Sequence, residues 1–242
     1  MLSFWDTMSR MTAPRTARER ARIEITRAIQ ETGRKHLAEV GPAALSLRAI
    51  ARDVGMVSSA VYRYFPSRDD LLTALIIEAY DELGDAVEAA DAGVADRTDL
   101  ASRFLAVCHA IRDWARANPH EYALLYGSPV PGYAAPDTTV PSAARITGAF
   151  LGLAQESQLR GDEMMAGAGP IGAKEHAALE GVRQLLETPV DDGRIVRWMI
   201  VWSTVFGHIS LELFGHMYRG VLDYDTHFKQ VTGELVADLG LD

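Results

Sequence analysis

A chain of 242 residues, 48% of them apolar and 24% charged, can hold one large or two modest domains with ample core. Its single cysteine, Cys108, excludes an intramolecular disulfide framework and any multi-cysteine zinc site, and is consistent with a reducing cytoplasm. The formal charge of −9 speaks against a nucleic-acid partner only when taken whole: residues 1–80 carry 12 Lys/Arg against 9 Asp/Glu, a net of +3, and the remainder 12 against 24, a net of −12. A basic binding head on an acidic body produces such an asymmetry.

In chain order, residues 1–15 read as a flexible arm containing Arg10 and Pro14, with no apolar core of secretory length in MLSFWDTMSRM. A first helix is predicted over 16–40, with Ile23, Ala28, Ile29 and Leu37 among its apolar positions, stopped by Gly41-Pro42. Ser46 caps a short helix through Asp53, in which Leu47, Ile50, Ala51 and Val54 follow an i, i+3, i+4, i+7 pattern. Gly55 breaks it, and a second short helix is expected from Ser58 to Tyr64, ended by Pro66-Ser67. A long helix follows over 68–90, connecting head and body. The polar stretch Asp91–Asp99 reads as a hinge region.

Further helices are expected at 99–117, 120–127, 138–157, 173–187, 193–217 and 225–239, separated by the irregular stretches 127–137 and 158–172. The most apolar run, WMIVWSTVFGHISL (198–211), is too short for a bilayer and reads as a buried helix of a soluble protein. No segment alternates as a strand does, so the predicted fold is all-α: a helix-turn-helix head over 16–67 and a helical body over 68–242.

The head carries the chemistry. Ala51 is small enough for two helices to approach, Gly55 four positions later accepts the positive φ of a tight turn, and Val61 plugs the second helix into the core. This Ala-x3-Gly-x5-Val spacing is that of a helix-turn-helix. In the second helix Val61, Tyr64 and Phe65 can share an inward face, which turns Ser58, Ser59, Tyr62 and Arg63 outward. A helix so short and polar has little core of its own, and its dimensions suit a major groove.

The stretch LSLRAIARDVGMVSSAVYRYFPSRDDLLTAL (45–75) resembles the DNA-binding signature of the TetR family of bacterial transcriptional regulators. The resemblance implies that Ser46 and Arg48 contact backbone and a guanine edge, that Ser58, Ser59, Ala60 and Tyr62 enter the groove, and that Tyr64 and Arg68 lie nearer phosphate. Val57 stands where the family usually has a Ser or Thr cap, leaving Ser58 a choice between cap and groove. Arg68 replaces the common Lys, which keeps the charge and changes the donor geometry.

Residues 119–136, PHEYALLYGSPVPGYAAP, with the W-x3-F-G of Trp202–Gly207, resemble the effector domain called WHG, found in many TetR-like regulators. Phe206 stands where that name leads one to expect His. Effector pockets in helical proteins are largely apolar with a few polar handles. The candidates are Trp114, Tyr122, Tyr126, Phe150, Trp202 and Phe206, with His109 and His208 as handles; plain core packing is the competing reading for each.

The family resemblance implies that the last two long helices, 193–217 and 225–239, form a four-helix bundle between two subunits; the competing reading is that they complete a monomer core. Gly207 and Ser203 would allow close approach, and Leu211, Leu213, Val231, Leu235 and Leu239 would bury area. A two-fold dimer presents two recognition helices about 34 Å apart and implies a near-palindromic double-stranded DNA operator. The expected protein is a ligand-responsive repressor with no cofactor, metal or membrane partner. The alternative within the same fold is a regulator without a small-molecule effector, constitutive or controlled by a protein partner. Catalysis is disfavoured: Cys108 and His109 are adjacent and point about 100° apart on a helix, and no phosphate-cradling glycine loop or nucleophile elbow occurs.

Overall fold

The computed structural model describes residues 16–165, 169–184, 186 and 188–241; the arm expected over 1–15 lies outside them. Helix α1, Ala17–Val40, starts at a capping box: the Thr16 hydroxyl accepts from the Glu19 amide at 3.1 Å, and the Thr16 amide donates to the Glu19 carboxylate at 2.9 Å. Gly41, at φ +73°, ends it, and Pro42–Ala44 make a 3₁₀ turn. Helix α2, Leu47–Asp53, is capped by Ser46 as expected, through a long contact of 3.5 Å from the Ala49 amide.

Helix α3 is Ser58–Val61, shorter than the expected 58–64. Beyond Val61 the amides of Arg63 and Tyr64 bond back to the carbonyls of Ala60 and Val61, which tightens the last turn into i→i−3 geometry. Pro66 then bars the preceding residue from continuing the helix. Helix α4, Arg68–Ala92, begins at a second reciprocal cap: Ser67 Oγ accepts from the Asp70 amide at 3.1 Å and donates to the Asp70 carboxylate at 2.6 Å.

The remaining helices are α5 (Leu100–Ala117), α6 (Pro119–Tyr126), α7 (Val140–Arg160), α8 (Ala173–Ala178), α9 (Glu180–Arg183), α10 (Asp192–Leu213) and α11 (Tyr224–Leu239), with a 3₁₀ turn at Asp137–Thr139. The single helix expected over 173–187 is thus two short ones, and the one expected to reach 217 stops at Leu213. Asp99, Asp191 and Asp223 cap α5, α10 and α11, each accepting backbone N–H bonds. No strand occurs among the described residues, and no described helix is long and apolar enough to cross a membrane.

The chain divides into two compact units. The first comprises residues up to Leu75 together with Val130–Tyr133; the second comprises Ile76–Pro129 and the chain from Ala134 onward. The division therefore falls inside α4 and not at its start. In the first unit Ile29, Leu37, Leu47, Ile50, Val61 and Leu71 are buried. Gly33 lets α1 and α4 approach: a Cβ there would stand 3.4 Å from a Leu75 methyl and 3.5 Å from one of Leu71.

In the second unit α5 is the central helix, packed on α6, α7, α10 and α11. Its apolar face (Phe104, Val107, Cys108, Ile111, Ala115) is fully buried. The Phe104 ring makes edge contacts with Phe150 at 6.2 Å and Trp198 at 5.9 Å. Two buried arginines on α5 are neutralised in place. Arg103 meets Asp91 at 2.7 Å and Glu156 at 2.5 Å. Arg112 makes a two-pronged pair with Glu212, both bonds 2.8 Å, meets Asp225 at 2.8 Å, and lies 5.0 Å from the centroid of Phe228. These pairs tie the central helix to α7, α10 and α11.

One expectation about the subunit contact needs correction. Leu235 and Leu239 belong to the core of their own subunit, and Leu213 and Val231 pack against it. The face that α10 leaves exposed carries Met199, Ile200, Ser203, Gly207 and Leu211, with small Gly233 and Ala237 exposed on α11. An amphipathic helix has one apolar stripe for its own core; the spacing of leucines alone did not say which stripe that was.

Candidate nucleic-acid interface and effector chamber

The head is built as a helix-turn-helix requires. Gly55 adopts φ +70°, a region an L-residue rarely enters, and the Met56 amide bonds to the Ala51 carbonyl at 2.8 Å, closing the turn. Ala51 and Val61 are fully buried, and Phe65 is buried below them. With α3 pinned from beneath, Arg48, Ser59, Tyr62 and Arg63 are exposed, and Ser46, Ser58 and Ala60 are half-buried. Val57 is the N-cap of α3 and no side chain caps it, so the Ser58 hydroxyl does not take up that role.

The two residues assigned nearer phosphate sit differently. The Tyr64 ring is half-buried with the Arg22 guanidinium of α1 5.4 Å from its centroid. Arg68 donates to the Pro42 carbonyl at 3.0 Å, and its Nε is buried without a partner. Arg68 thereby ties the start of α4 to the turn after α1, which leaves Arg48 and Arg63 as the more exposed cations. Sequence reasoning missed Arg22. A helix position seven residues before Ile29, the first buried residue of α1, carries no motif, and only the fold brings it to Tyr64.

In the second unit, Phe150 and Trp202 line one cavity of about 240 Å³ together with Thr147, Leu151, Trp198 and Met199. The other aromatic candidates are placed elsewhere. Trp114 is buried in the core cluster. Tyr122 is fully buried, its hydroxyl donating to the Phe206 carbonyl at 3.0 Å and 2.9 Å from Ser210 Oγ; burial pushes its pKa up to about 12. Tyr126 stacks between Tyr122 and Phe206, at 5.2 and 4.5 Å, and burial raises its hydroxyl above the ordinary phenol range. Phe206 contacts Trp202 at 4.7 Å and is buried in the core cluster, outside the cavity lining.

The two histidines pack on Phe228, each ring 5.4 Å from it. Neither lines the cavity. The chamber residues that the sequence reading lacked, Thr147 and Leu151 on α7 and Trp198 and Met199 on α10, lie within a turn of the predicted Phe150 and Trp202. A search for i±3 and i±4 neighbours of those aromatics would have found Thr147, Trp198 and Met199, but not Leu151, which directly follows Phe150.

His208 is buried, its Nε2 has no hydrogen-bond partner, and its ring lies 5.1 Å from that of His227. Burial, and then the neighbouring His227, depress its pKa below the usual 6.5; Glu212 and Arg112 face it as well, with opposing effects. The folded state prefers the neutral ring, so its contribution is complete above the unfolded pKa and is lost as pH falls through the folded one. Thermal unfolding followed from pH 7.5 to 5 is expected to show a falling Tm, and His208→Gln is expected to flatten that fall.

Comparison with known proteins gives the same answer from a separate direction. The family model described as "Bacterial regulatory proteins, tetR family" matches residues 29–75, and "Tetracyclin repressor-like, C-terminal domain" matches residues 104–235. HTH-type transcriptional regulators of Mycobacterium tuberculosis and Mycobacterium bovis are 43% identical over 228 residues, covering 92% of this chain and 95% of theirs. Among solved structures, the regulatory protein SCO4313 superposes with a TM-score of 0.74 at 34% identity, covering 91% of this chain and 99% of that one. A protein of unknown function from Rhodococcus sp. RHA1, at 23% identity and a TM-score of 0.67, covers 89% of this chain and 95% of its own and shares the fold. The mycobacterial relatives are named as transcriptional regulators. With the helix-turn-helix geometry and both family models in agreement, the chain belongs to the TetR family and is a DNA-binding transcriptional regulator.

Proposed function

We propose that the protein is a homodimeric repressor, acting in the cytoplasm, which leaves a near-palindromic operator when a small, largely apolar molecule enters the body. The observation that carries this reading is the pairing of a head whose Arg48, Ser59 and Tyr62 are exposed above a pinned core with a body holding an aromatic cavity. In this reading residues 16–67 read DNA, residues 68–242 sense and dimerise, and α4 joins them. Ser46, Arg48, Ser58, Ser59, Ala60 and Tyr62 meet the operator, with Tyr64 and Arg68 supporting the phosphate side. The partner subunit packs on the exposed α10 positions Gly207 and Leu211 and on α11. The resemblance of the body to the WHG type rests on the 119–136 stretch and on Trp202–Gly207.

Release requires an effector that binds the DNA-incompetent state more tightly than the DNA-competent one, since equal affinity shifts nothing. The test is operator affinity with and without compounds that raise Tm in a thermal-shift screen. Retained affinity in the presence of every stabilising compound sinks the release mechanism. Arg48→Ala is expected to cost about 1–3 kcal/mol of operator binding, roughly 5- to 150-fold, and to relax discrimination at one base position. Quantitative binding to operator variants across a salt series checks this: a guanine contact loses specificity, whereas a phosphate contact loses affinity uniformly and lowers the salt slope by about 1.

A further inference from the structure

The cavity at Trp198 and Trp202 does not stand alone. Val182, Met199 and Ser203 line it and also line an outer groove of about 580 Å³, between α8–α9 and α10, which adds Glu175, Ile200 and Thr204. The inner cavity is aromatic and aliphatic, with Phe150, Leu151, Trp198 and Trp202 around it. Thr147 and the shared Ser203 bring hydroxyls to the inner cavity, and the polar side chains of the outer groove, Glu175, Ser203 and Thr204, all accept hydrogen bonds.

The Ser203 hydroxyl donates to the Met199 carbonyl at 2.8 Å, and the Thr204 hydroxyl donates to the Ile200 carbonyl at 2.9 Å. Both protons are thus committed to the helix backbone, and what the two oxygens offer the groove is lone pairs. Glu175 adds a carboxylate, an acceptor only. Among the described residues no Lys, Arg or His lines either cavity. An anionic head placed here would meet a like charge and find no donor. A protonated amine would find a carboxylate and two hydroxyl acceptors, next to a space that takes hydrocarbon.

We propose that the effector class is a lipophilic amine: a hydrocarbon body seated among Phe150, Leu151, Trp198 and Trp202, and an alkylammonium head at Glu175, Ser203 and Thr204. This inference rests on the effector reading above and narrows it to one charge type. It ranks carboxylates and sulfates of equal chain length below the amine as ligands.

The full-length protein is titrated with three eight-carbon probes, octylammonium chloride, octan-1-ol and sodium octanoate, below their aggregation limits, by calorimetry and by Tm shift. Octylammonium is expected to bind at least tenfold more tightly than octanol, with octanoate weakest. Glu175→Gln is expected to remove most of the ammonium's advantage and leave octanol binding unchanged. Because the body is acidic as a whole, Val182→Trp serves as a second variant, narrowing the passage that both cavities share. It is expected to weaken octylammonium and octanol alike.

Octanoate or octanol binding as tightly as octylammonium overturns the amine assignment while the effector reading stands. Octylammonium binding unaffected by both variants also overturns it, since the attraction would then be diffuse. Failure of all three probes to bind removes the effector reading for this cavity, and the inference with it.

Discussion

Replacing Glu212 by alanine is expected to cost about 3–5 kcal/mol of stability, the range for removing one partner of a buried ion pair. Arg112 is 3% and Glu212 9% exposed at the side chain, and the pair is joined by two bonds of 2.8 Å between the central helix α5 and α10. Truncation leaves the guanidinium in the interior with only its Asp225 contact of the three carboxylate contacts it now makes, and desolvation of that charge dominates the loss. Asp225, which Arg112 also meets at 2.8 Å, is largely exposed and holds the loss toward the lower end. For a chain of this size the expected fall in Tm is roughly 6–20 °C. The charge argument is separable from packing: Arg112→Met with Glu212→Met is expected to recover most of the stability, because apolar residues of similar volume avoid the desolvation. Urea denaturation of the single and double variants checks both statements, and a double variant no more stable than Glu212→Ala would count against the charge explanation.

Trp198→Ala is the second large effect, about 3–5 kcal/mol from lost transfer energy and the cavity left behind. Trp198 is 1% exposed, contacts Phe104 and Phe150 at 5.9 and 6.4 Å, and forms a wall of the inner cavity. The deletion would therefore merge an existing space with a new one, and the neighbouring rings are too rigid to fill it. Trp198→Phe is expected to cost much less, because the indole Nε1 has no hydrogen-bond partner to lose. That variant loses ring volume and an unpartnered N–H, and no hydrogen bond. The two variants compared by denaturant unfolding should differ in midpoint at unchanged slope; equal losses would place the cost in the orphan N–H and not in the volume.

These two sites illustrate what the sequence contained and what it did not. The local rules were legible. Gly55 marks a positive-φ turn, Ser46 a cap, Pro66 a stop, and the Ala51–Gly55–Val61 spacing a helix-turn-helix, because each of these depends on a few neighbouring residues. The all-α class followed from a 3.6-residue periodicity that runs almost throughout the chain. Helix ends were less secure: α3 stops at Val61 and the 173–187 segment breaks in two, since the last turn of a short helix is decided by competition between i−3 and i−4 acceptors.

The pairings across the body were not legible. Arg112 and Glu212 are 100 positions apart and Arg103 and Glu156 are 53 apart, and nothing in a local pattern couples charges at such separations. The same holds for the aromatics. Composition and spacing identified Trp114, Tyr122, Tyr126, Phe150, Trp202 and Phe206 as a set, yet only Phe150 and Trp202 line the inner cavity, because periodicity says that a residue faces inward but not whether it meets another side chain or a space there. By itself the sequence determined a basic reading head, its turn and its family resemblance, all of which are built from contiguous residues. Tertiary structure alone decided which leucines of α11 belong to the subunit's own core, which aromatics border a cavity, and that the hydroxyls of Ser203 and Thr204 turn their protons to the helix backbone. The physical reason is that packing and hydrogen-bond direction are settled by neighbours in space, most of which lie far away in the chain.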